Sequence, residues 1–371
     1  GFTLGTAEAI TSMTGLGFGP STTVANGNSN MGALMNSSGT PASYSGAITL
    51  GAASRINADY GALTISSAIS GATIALTIGG FSNSTFSGVI GTTSGTLTKD
   101  GIGVLTLSNS NTYTGATTIS VGTIKLGATG GATNTPLGTT GAGTTVSLGA
   151  RLDLNGFTLG TAEGLTLNGV GYGLGDFASG ALINSSGSSV SYSGAITLGS
   201  TGVLIKADSG NMTLSGNIGG NTFAITIGGT GTGTLSGVIG TTSGTVTKIG
   251  TGTWTLSNAA STYTGATTVN VGTLKLGVSG GATNTPLGTT GAGTTVLSGA
   301  VLDFNGFTVG TAEGLTINGR GISDGGAVIG ANVTFAGAIA QATDSRITNA
   351  SGTFTISGAA SGAFNLIVGG A

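Results

Sequence analysis

The chain predicts an all-β fold: a parallel β-helix (β-solenoid) of rungs 21 residues or longer, arranged in tandem units of about 150 residues. Three observations carry that expectation. Glycine, with 76 of 371 residues, interrupts nearly every short window, and β-branched Thr, Val and Ile fill the gaps, which suits strands and turns and leaves little room for helix. Long stretches recur along the chain. Inside each of them a shorter, fixed spacing recurs.

The long repeat is read from three segments. GFTLGTAEAI at Gly1 returns as GFTLGTAEGL at Gly156 and GFTVGTAEGL at Gly306; YSGAITLG at Tyr44 returns at Tyr192 and, more loosely, at Phe335; GATNTPLGTTGAGTTV at Gly131 returns unchanged at Gly281. The expected organisation is unit 1 over 1–155, unit 2 over 156–305 and a partial unit 3 over 306–371, as one continuous solenoid.

The short spacing defines the rung. Tyr44, Ile65, Phe86 and Leu107 lie 21 apart; Tyr192, Leu214, Leu235 and Leu256 follow at 22, 21 and 21; Phe335 and Ile356 repeat the 21. Within a rung the side-chain period of two puts Leu235, Gly237 and Ile239 on one face and Thr234, Ser236 and Val238 on the other. Stacking then places Ile196, Ile218 and Ile239 in one column, with successive strands parallel at ~4.8 Å, and the chain would make ~16 rungs over ~75 Å.

Energetics require the repetition. About half a dozen aliphatic side chains per rung contribute ~1.5–3 kcal/mol each. Ordering some twenty residues costs ~1–2 kcal/mol apiece in backbone entropy. A rung is therefore stable only against neighbours that add burial and hydrogen bonds.

Asn-Gly at Asn26, Asn155, Asn168, Asn305 and Asn318, and Asp-Gly at Asp100 and Asp324, mark expected turns with φ > 0. Such dipeptides also suit hairpins, but a fixed 21-residue step is natural for a coil and hard to obtain from a meander.

The runs TLTKDGIGVLTLSNSNTYTGATTISVGTIKLG from Thr96 and TVTKIGTGTWTLSNAASTYTGATTVNVGTLKLG from Thr245 closely resemble the autotransporter-associated β-strand repeat of bacterial passenger domains. The shared pattern is a Lys and Gly-rich turn, LTL, a polar step, NTYTG, a Thr pair and a strand ending in Gly. The flanking NTPLG, LDLNGFTLG and SGAITLG segments are similar to those around that motif in long bacterial repeat proteins. The resemblance implies a right-handed parallel β-helix, secretion through an outer membrane and residence on or beyond the cell surface. No translocator barrel or aromatic-girdled strand set is present in this sequence.

Chemistry finds little purchase. Histidine and cysteine are absent, which excludes His-based triads and general bases, Cys-based metal sites and disulfides. Carboxylates recur in step with the long repeat, Glu8 with Glu163 and Glu313, Asp153 with Asp303, Asp59 with Asp208. A catalytic pair is built once, so these are expected to satisfy turn backbone or keep the surface soluble, and no enzyme activity is expected. DLNG at Asp153 and DFNG at Asp303 offer one carboxylate each, too few for strong calcium binding. GTGTG near Gly229 lacks the Lys-Ser/Thr of a phosphate loop.

The paired lysines, Lys99 with Lys248 and Lys125 with Lys275, are expected on solvated strand faces or rung corners, discouraging lateral association. Tyr113 and Tyr263 are expected in core or corner packing, with a glycan-stacking ladder as the other reading. Outward Thr and Ser are not expected to make an unbroken Thr-x-Thr array, because Asn, Gly and Val intrude. The motif itself reads as a corner where Asn109 and Asn111 interrupt the column of Leu107 and where the rung lengthens, resetting the register. No catalytic, cofactor or metal residue is assigned.

Nine basic against eleven acidic residues, with no basic run, argue against nucleic acid as a partner. No apolar run approaches the ~18 residues of a membrane-spanning helix, so no membrane insertion is expected in this segment. Both ends cut a repeat, which suggests a window onto a longer array. The expected role is a structural segment of a long secreted repeat protein, a stiff extracellular fibre, sheath or stalk exported across a bacterial outer membrane. Its expected partners are further copies of the repeat, lateral neighbours or glycans. The alternative is an adhesin passenger binding cell-surface or host glycans, with the longer stretch Gly15–Thr40 as the candidate projection.

Overall fold

The structure is a computed structural model that describes residues 8–17, 31–139, 141–159, 163–173, 178–200, 202–281, 283–289, 291, 293–309 and 313–370. Two compact units are present, Gly1–Ala195 and Ile196–Ala371. Each is a parallel β-solenoid, and the described residues make about 15 turns with rungs about 21 residues apart. Among the described residues there is no α-helix, only a 3-10 turn at Ile322–Asp324.

In the first unit the 21-residue spacing is the strand register. Tyr44 pairs with Ile65, Ile65 with Phe86 and Phe86 with Leu107, and the column runs on to Leu126. Ile48, Ile69 and Ile90 form a second column. A third comprises Ile56, Ile78, Lys99, Ile119, Val146 and Leu167. Three inward columns make three faces, and the strand Ile48–Ala58 bends round a corner to serve two of them. Alternation along each short strand sends every second side chain inward: Leu63 and Ile65 are buried while Thr64 between them is half-buried.

The second unit repeats the scheme. Leu214, Leu235, Leu256 and Leu276 stack. Ile196 pairs with Ile218 and Ile218 with Ile239, the column the sequence predicts. Ile205, Ile227, Lys248, Val269, Val296 and Ile317 make the third. Near its far side Phe304 packs edge-on against Phe335 and Phe354, with centroids 5.7 and 5.8 Å away.

Two details depart from the sequence expectation. The motif does not lengthen the rung. Leu105 pairs with Ile124, 19 positions on, and Trp254 with Leu274, 20 positions on, whereas Thr117 pairs with Thr144 and Thr267 with Thr294, 27 positions on in both copies. The extra residues are the GATNTPLGTT segment, which folds into a small antiparallel hairpin, Asn134–Thr135 with Gly138–Thr139, and again Asn284–Thr285 with Gly288–Thr289. Nor does Asn111 interrupt the Leu107 column, which continues unbroken. Its side chain instead accepts from the backbone N–H of Ile90 at 2.8 Å and so ends the Ile48–Ile69–Ile90 column.

The turns are mostly as read. Asn155 and Asn305 adopt φ of 49° and 51°, and Gly169 and Gly319 carry the positive φ after Asn168 and Asn318. Asp324 also has φ of 61°. Asp100-Gly101 does not follow the rule, since neither residue is left-handed there. Asp100 instead meets the buried Arg55, two rungs earlier, through paired contacts of 2.5 and 2.8 Å. Asn26, and much of the Gly15–Thr40 projection, lie outside the described residues.

Candidate functional site

The repeated motif forms the best-defined polar site in each unit, and its residues point inward. The strands Leu97–Lys99 and Val246–Lys248 alternate in-out-in, so the lysines take the third position and enter aliphatic columns. Lys99 and Lys248 are 1% and 0% exposed, which corrects the expectation of solvated lysines. Their stems pack between isoleucines and valines. The ammonium of Lys248 donates to the carbonyls of Ile249, Gly250 and Val271 at 2.8, 2.7 and 3.0 Å, and that of Lys99 to Gly101. Burial lowers both amines to about 8; at Lys99 the attraction of Asp100 partly offsets it and Arg55 adds to it. Lys125 and Lys275 are half-buried, and Lys275 lies 3.7 Å from Asp303.

The LTL step differs between copies in an instructive way. Trp254 replaces Leu105, is wholly buried and donates its indole N–H to the Gly228 carbonyl at 2.9 Å. It fits because Gly233 lies beside it on the preceding rung: a Cβ there would come within 2.3 Å of the indole. In the other copy the pair is Ser84 and Leu105.

Tyr113 and Tyr263 are fully buried, which bears out core packing. Each hydroxyl contacts a threonine four residues on, Thr117 at 2.7 Å and Thr267 at 2.8 Å, and those hydroxyls donate to Leu137 and Leu287 carbonyls in the hairpins. Asn111 donates to Pro136 at 2.6 Å. Ser261 replaces Asn111 in the second copy and accepts from the Ile239 amide.

The recurrent carboxylates divide. Asp153 and Asp303 accept from the amides of Asn155 and Asn305 at 2.9 and 2.7 Å, the turn role expected of them. Glu163 and Glu313 are buried and bonded to threonine hydroxyls, not to turn backbone or solvent; Glu8 is exposed. Burial pushes both buried glutamates up to about 7, with the hydroxyl of Thr144 or Thr294 pulling the other way. No two of these carboxylates share a hydrogen-bonded pair, and no group of three or more metal-type ligands exists among the described residues. A shallow hollow of about 370 Å³ beside Asp303 and Asn332 is lined otherwise by glycine and aliphatic groups and the Asn305 side chain.

Outward threonines form single files, one residue wide, and not the unbroken Thr-x-Thr array that the sequence argues against. Thr77, Thr98, Thr118, Thr145 and Thr166 stack in one unit, and Thr226, Thr247, Thr268, Thr295 and Thr316 in the other. The intruding Asn, Gly and Val fall at neighbouring positions on the rung. Each strand contributes one outward Thr to the file, so the paired Thr-x-Thr array is not formed.

These features define a class of protein: a β-solenoid assembled from tandem copies of one structural module, with the module's polar groups consumed in joining rung to rung. The passenger-associated-transport-repeat family matches residues 97–126 and 246–276, the two modules. Over 150 residues, 39% of this chain, the sequence is 38% identical to the adhesin BmaC autotransporter of Brucella suis biovar 1 (strain 1330). The matched stretch spans about 4% of that relative's length. No solved structure matches the chain. Repeat, relative and solenoid together fit an autotransporter passenger β-helix.

Proposed function

We propose that this chain is a segment of a secreted, adhesin-like autotransporter passenger, and that its own task is mechanical: a stiff spacer that holds other parts of the passenger away from the cell surface. The observation that carries this reading is where the repeated polar residues go. Lys99 and Lys248, Tyr113 and Tyr263, Glu163 and Glu313 are all buried and bonded within their own unit. A segment whose conserved-by-repetition chemistry lies inside has rigidity as its product. On this reading the segment is extracellular or at the cell surface, catalyses nothing, inserts in no membrane and meets chiefly further copies of itself. Deleting residues 156–305 from the whole passenger should shorten the particle seen by negative-stain microscopy and leave binding per cell intact. Loss of binding with length restored by an unrelated solenoid of equal size would refute it.

A second reading, direct glycan binding, is favoured by one feature. Tyr60, Phe81 and Ile102 follow one another at 21-residue intervals at one rung corner, 73%, 42% and 56% exposed. The equivalent positions in the second unit are Ser209, Thr230 and Thr251. The fold therefore does not require apolar residues there, and an exposed aromatic corner suits sugar stacking. A glycan array probed with the chain and with Tyr60→Ala/Phe81→Ala separates the readings: signal lost in the variant supports binding at this corner, and no signal for either removes it.

A further inference from the structure

The hairpins inserted after each motif are held from two sides. On one side are the Asn111, Tyr113 and Thr117 contacts; the amide of Asn111 donates to Thr135 and that of Thr139 to Tyr113, at 2.8 and 2.9 Å. On the other side is a carboxyl group. Glu163 lies 2.5 Å from the Thr144 hydroxyl through Oε1 and 3.2 Å from the Thr135 hydroxyl through Oε2.

Counting protons decides the state of that carboxyl. The Thr135 hydroxyl accepts from the Leu137 amide at 3.0 Å and stands 3.0 Å from the Gly138 carbonyl. It has one proton and faces two acceptors, Gly138 O and Glu163 Oε2. With the carboxyl ionised, one of those contacts has no hydrogen in it. With a proton on Oε2, Glu163 donates to Thr135, Thr135 donates to Gly138, and both protons, and both lone pairs of the Thr135 hydroxyl, are used. The second copy repeats the arrangement: Thr285 accepts from Leu287 at 3.0 Å and donates to Gly288 at 3.1 Å, Thr294 lies 2.5 Å from Glu313 Oε1, and the buried Oε2 of Glu313 receives no donor. An ionised oxygen buried without a donor is costly; a protonated one can turn to Thr285.

We infer that Glu163 and Glu313 are neutral, proton-donating latches on the hairpins Asn134–Thr139 and Asn284–Thr289, and that loss of the proton frees each hairpin from the rung it closes. The inference concerns a built-in response to pH and does not depend on the spacer reading. The titratable groups facing Glu163 are Tyr113 and Tyr192, the latter donating to the Glu163 carbonyl; the one facing Glu313 is Tyr263, with Phe335 in the place of Tyr192. Burial holds these tyrosines neutral, so they neither supply nor compensate charge. Burial raises the closed-state carboxyls from the ordinary 4.5 to about 7. The closed hairpin keeps a proton that the open, solvated carboxyl gives up, so closure is fully favoured below about 4.5, weakens as pH rises and levels off above about 7, a change of ~10²-fold in the opening equilibrium.

Hydrogen exchange on the intact chain tests this with an internal control. After correction for intrinsic exchange, the amides of Asn111, Leu137 and Thr139 should be protected ~10²-fold more at pH about 5 than at pH about 8.5. Glu163→Gln should flatten that dependence at the first hairpin while the amides of Leu287 and Thr289 keep it, and Glu313→Gln should do the reverse. Equal protection at both pH values in the native chain, or a dependence that survives at the substituted hairpin, overturns the inference. Should a Gln variant fail to fold, infrared titration of the native chain decides: a neutral-carboxyl band that persists through pH 6 and vanishes near 7 upholds the latch, and its absence at pH 6 overturns it.

Discussion

Ile196 and Ile339 occupy the same position in successive copies of the sequence repeat, yet they stand on different faces of the second unit. Ile196 heads the column continued by Ile218 and Ile239. Ile339 pairs with Leu315, which continues the file of Ile225, Val246, Thr267 and Thr294. The first unit does the same: Ile10 pairs with Ile48, whereas its equivalent Leu165 pairs with Thr144 on another face. The long repeat is therefore not a whole number of turns. Each copy advances to the next of three faces, and surface features that recur in sequence point in different directions around the unit.

That advance can be trapped. Thr316 and Ala340 are outward-facing partners on adjacent strands. Thr316→Cys with Ala340→Cys should form a disulfide under mild oxidation, seen as a mass loss on intact-chain spectrometry, since parallel partners ~4.8 Å apart lie within disulfide reach. If copies repeated after whole turns, Ala340 would sit over the Thr197 file and the pair would stay reduced.

Gly233 and Trp254 form a matched pair, and Ser84 with Leu105 is the same pair solved differently. Gly233→Ser alone should destabilise the chain by about 1–3 kcal/mol through overpacking against the indole. Adding Trp254→Leu should recover most of that loss, because the combination reproduces the other copy. A double-mutant cycle from urea midpoints measures the coupling, and additive losses would show that the two side chains do not meet.

Stability should trace a trough against pH. The buried glutamates hold protons that the unfolded chain releases above 4.5, so their contribution is complete below that value and gone by about 7. The buried lysines release protons at about 8 that the unfolded chain keeps to 10.5, so stability climbs again above about 8. Thermal melts should therefore be lowest between about 7 and 8. Lys99→Met with Lys248→Met should flatten the alkaline limb, and the carboxyl-to-amide variants the acid one; a monotonic profile in the native chain would contradict both assignments.

The step of 21 residues and the columns of Tyr44 and Ile196 were legible because glycine and β-branched residues mark a period-two strand at fixed intervals. The inward lysines were legible by the same rule, since L-T-K and V-T-K alternate in-out-in. They were misread because a lysine is ordinarily exposed, and a stack of isoleucines with carbonyls at its corner is not visible from the local sequence. Glu163 gave no local sign of burial: its hydroxyl partners, Thr144 and Thr135, lie 19 and 28 residues away, and what brings them together is the hairpin that GATNTPLGTT inserts. The advance from face to face was hidden for a related reason. It depends on the sum of unequal rungs, several of which are longer or shorter than 21.

The most direct test of the account asks where the motif's lysines point. Brief acylation of the folded chain with an amine-reactive ester, followed by peptide mass spectrometry, should label Lys125, Lys206 and Lys275 and leave Lys99 and Lys248 unmodified until the chain is unfolded. Labelling of Lys99 and Lys248 in the folded chain at the rate of the other three would place the motif's polar groups on the surface and contradict the structural role assigned to it.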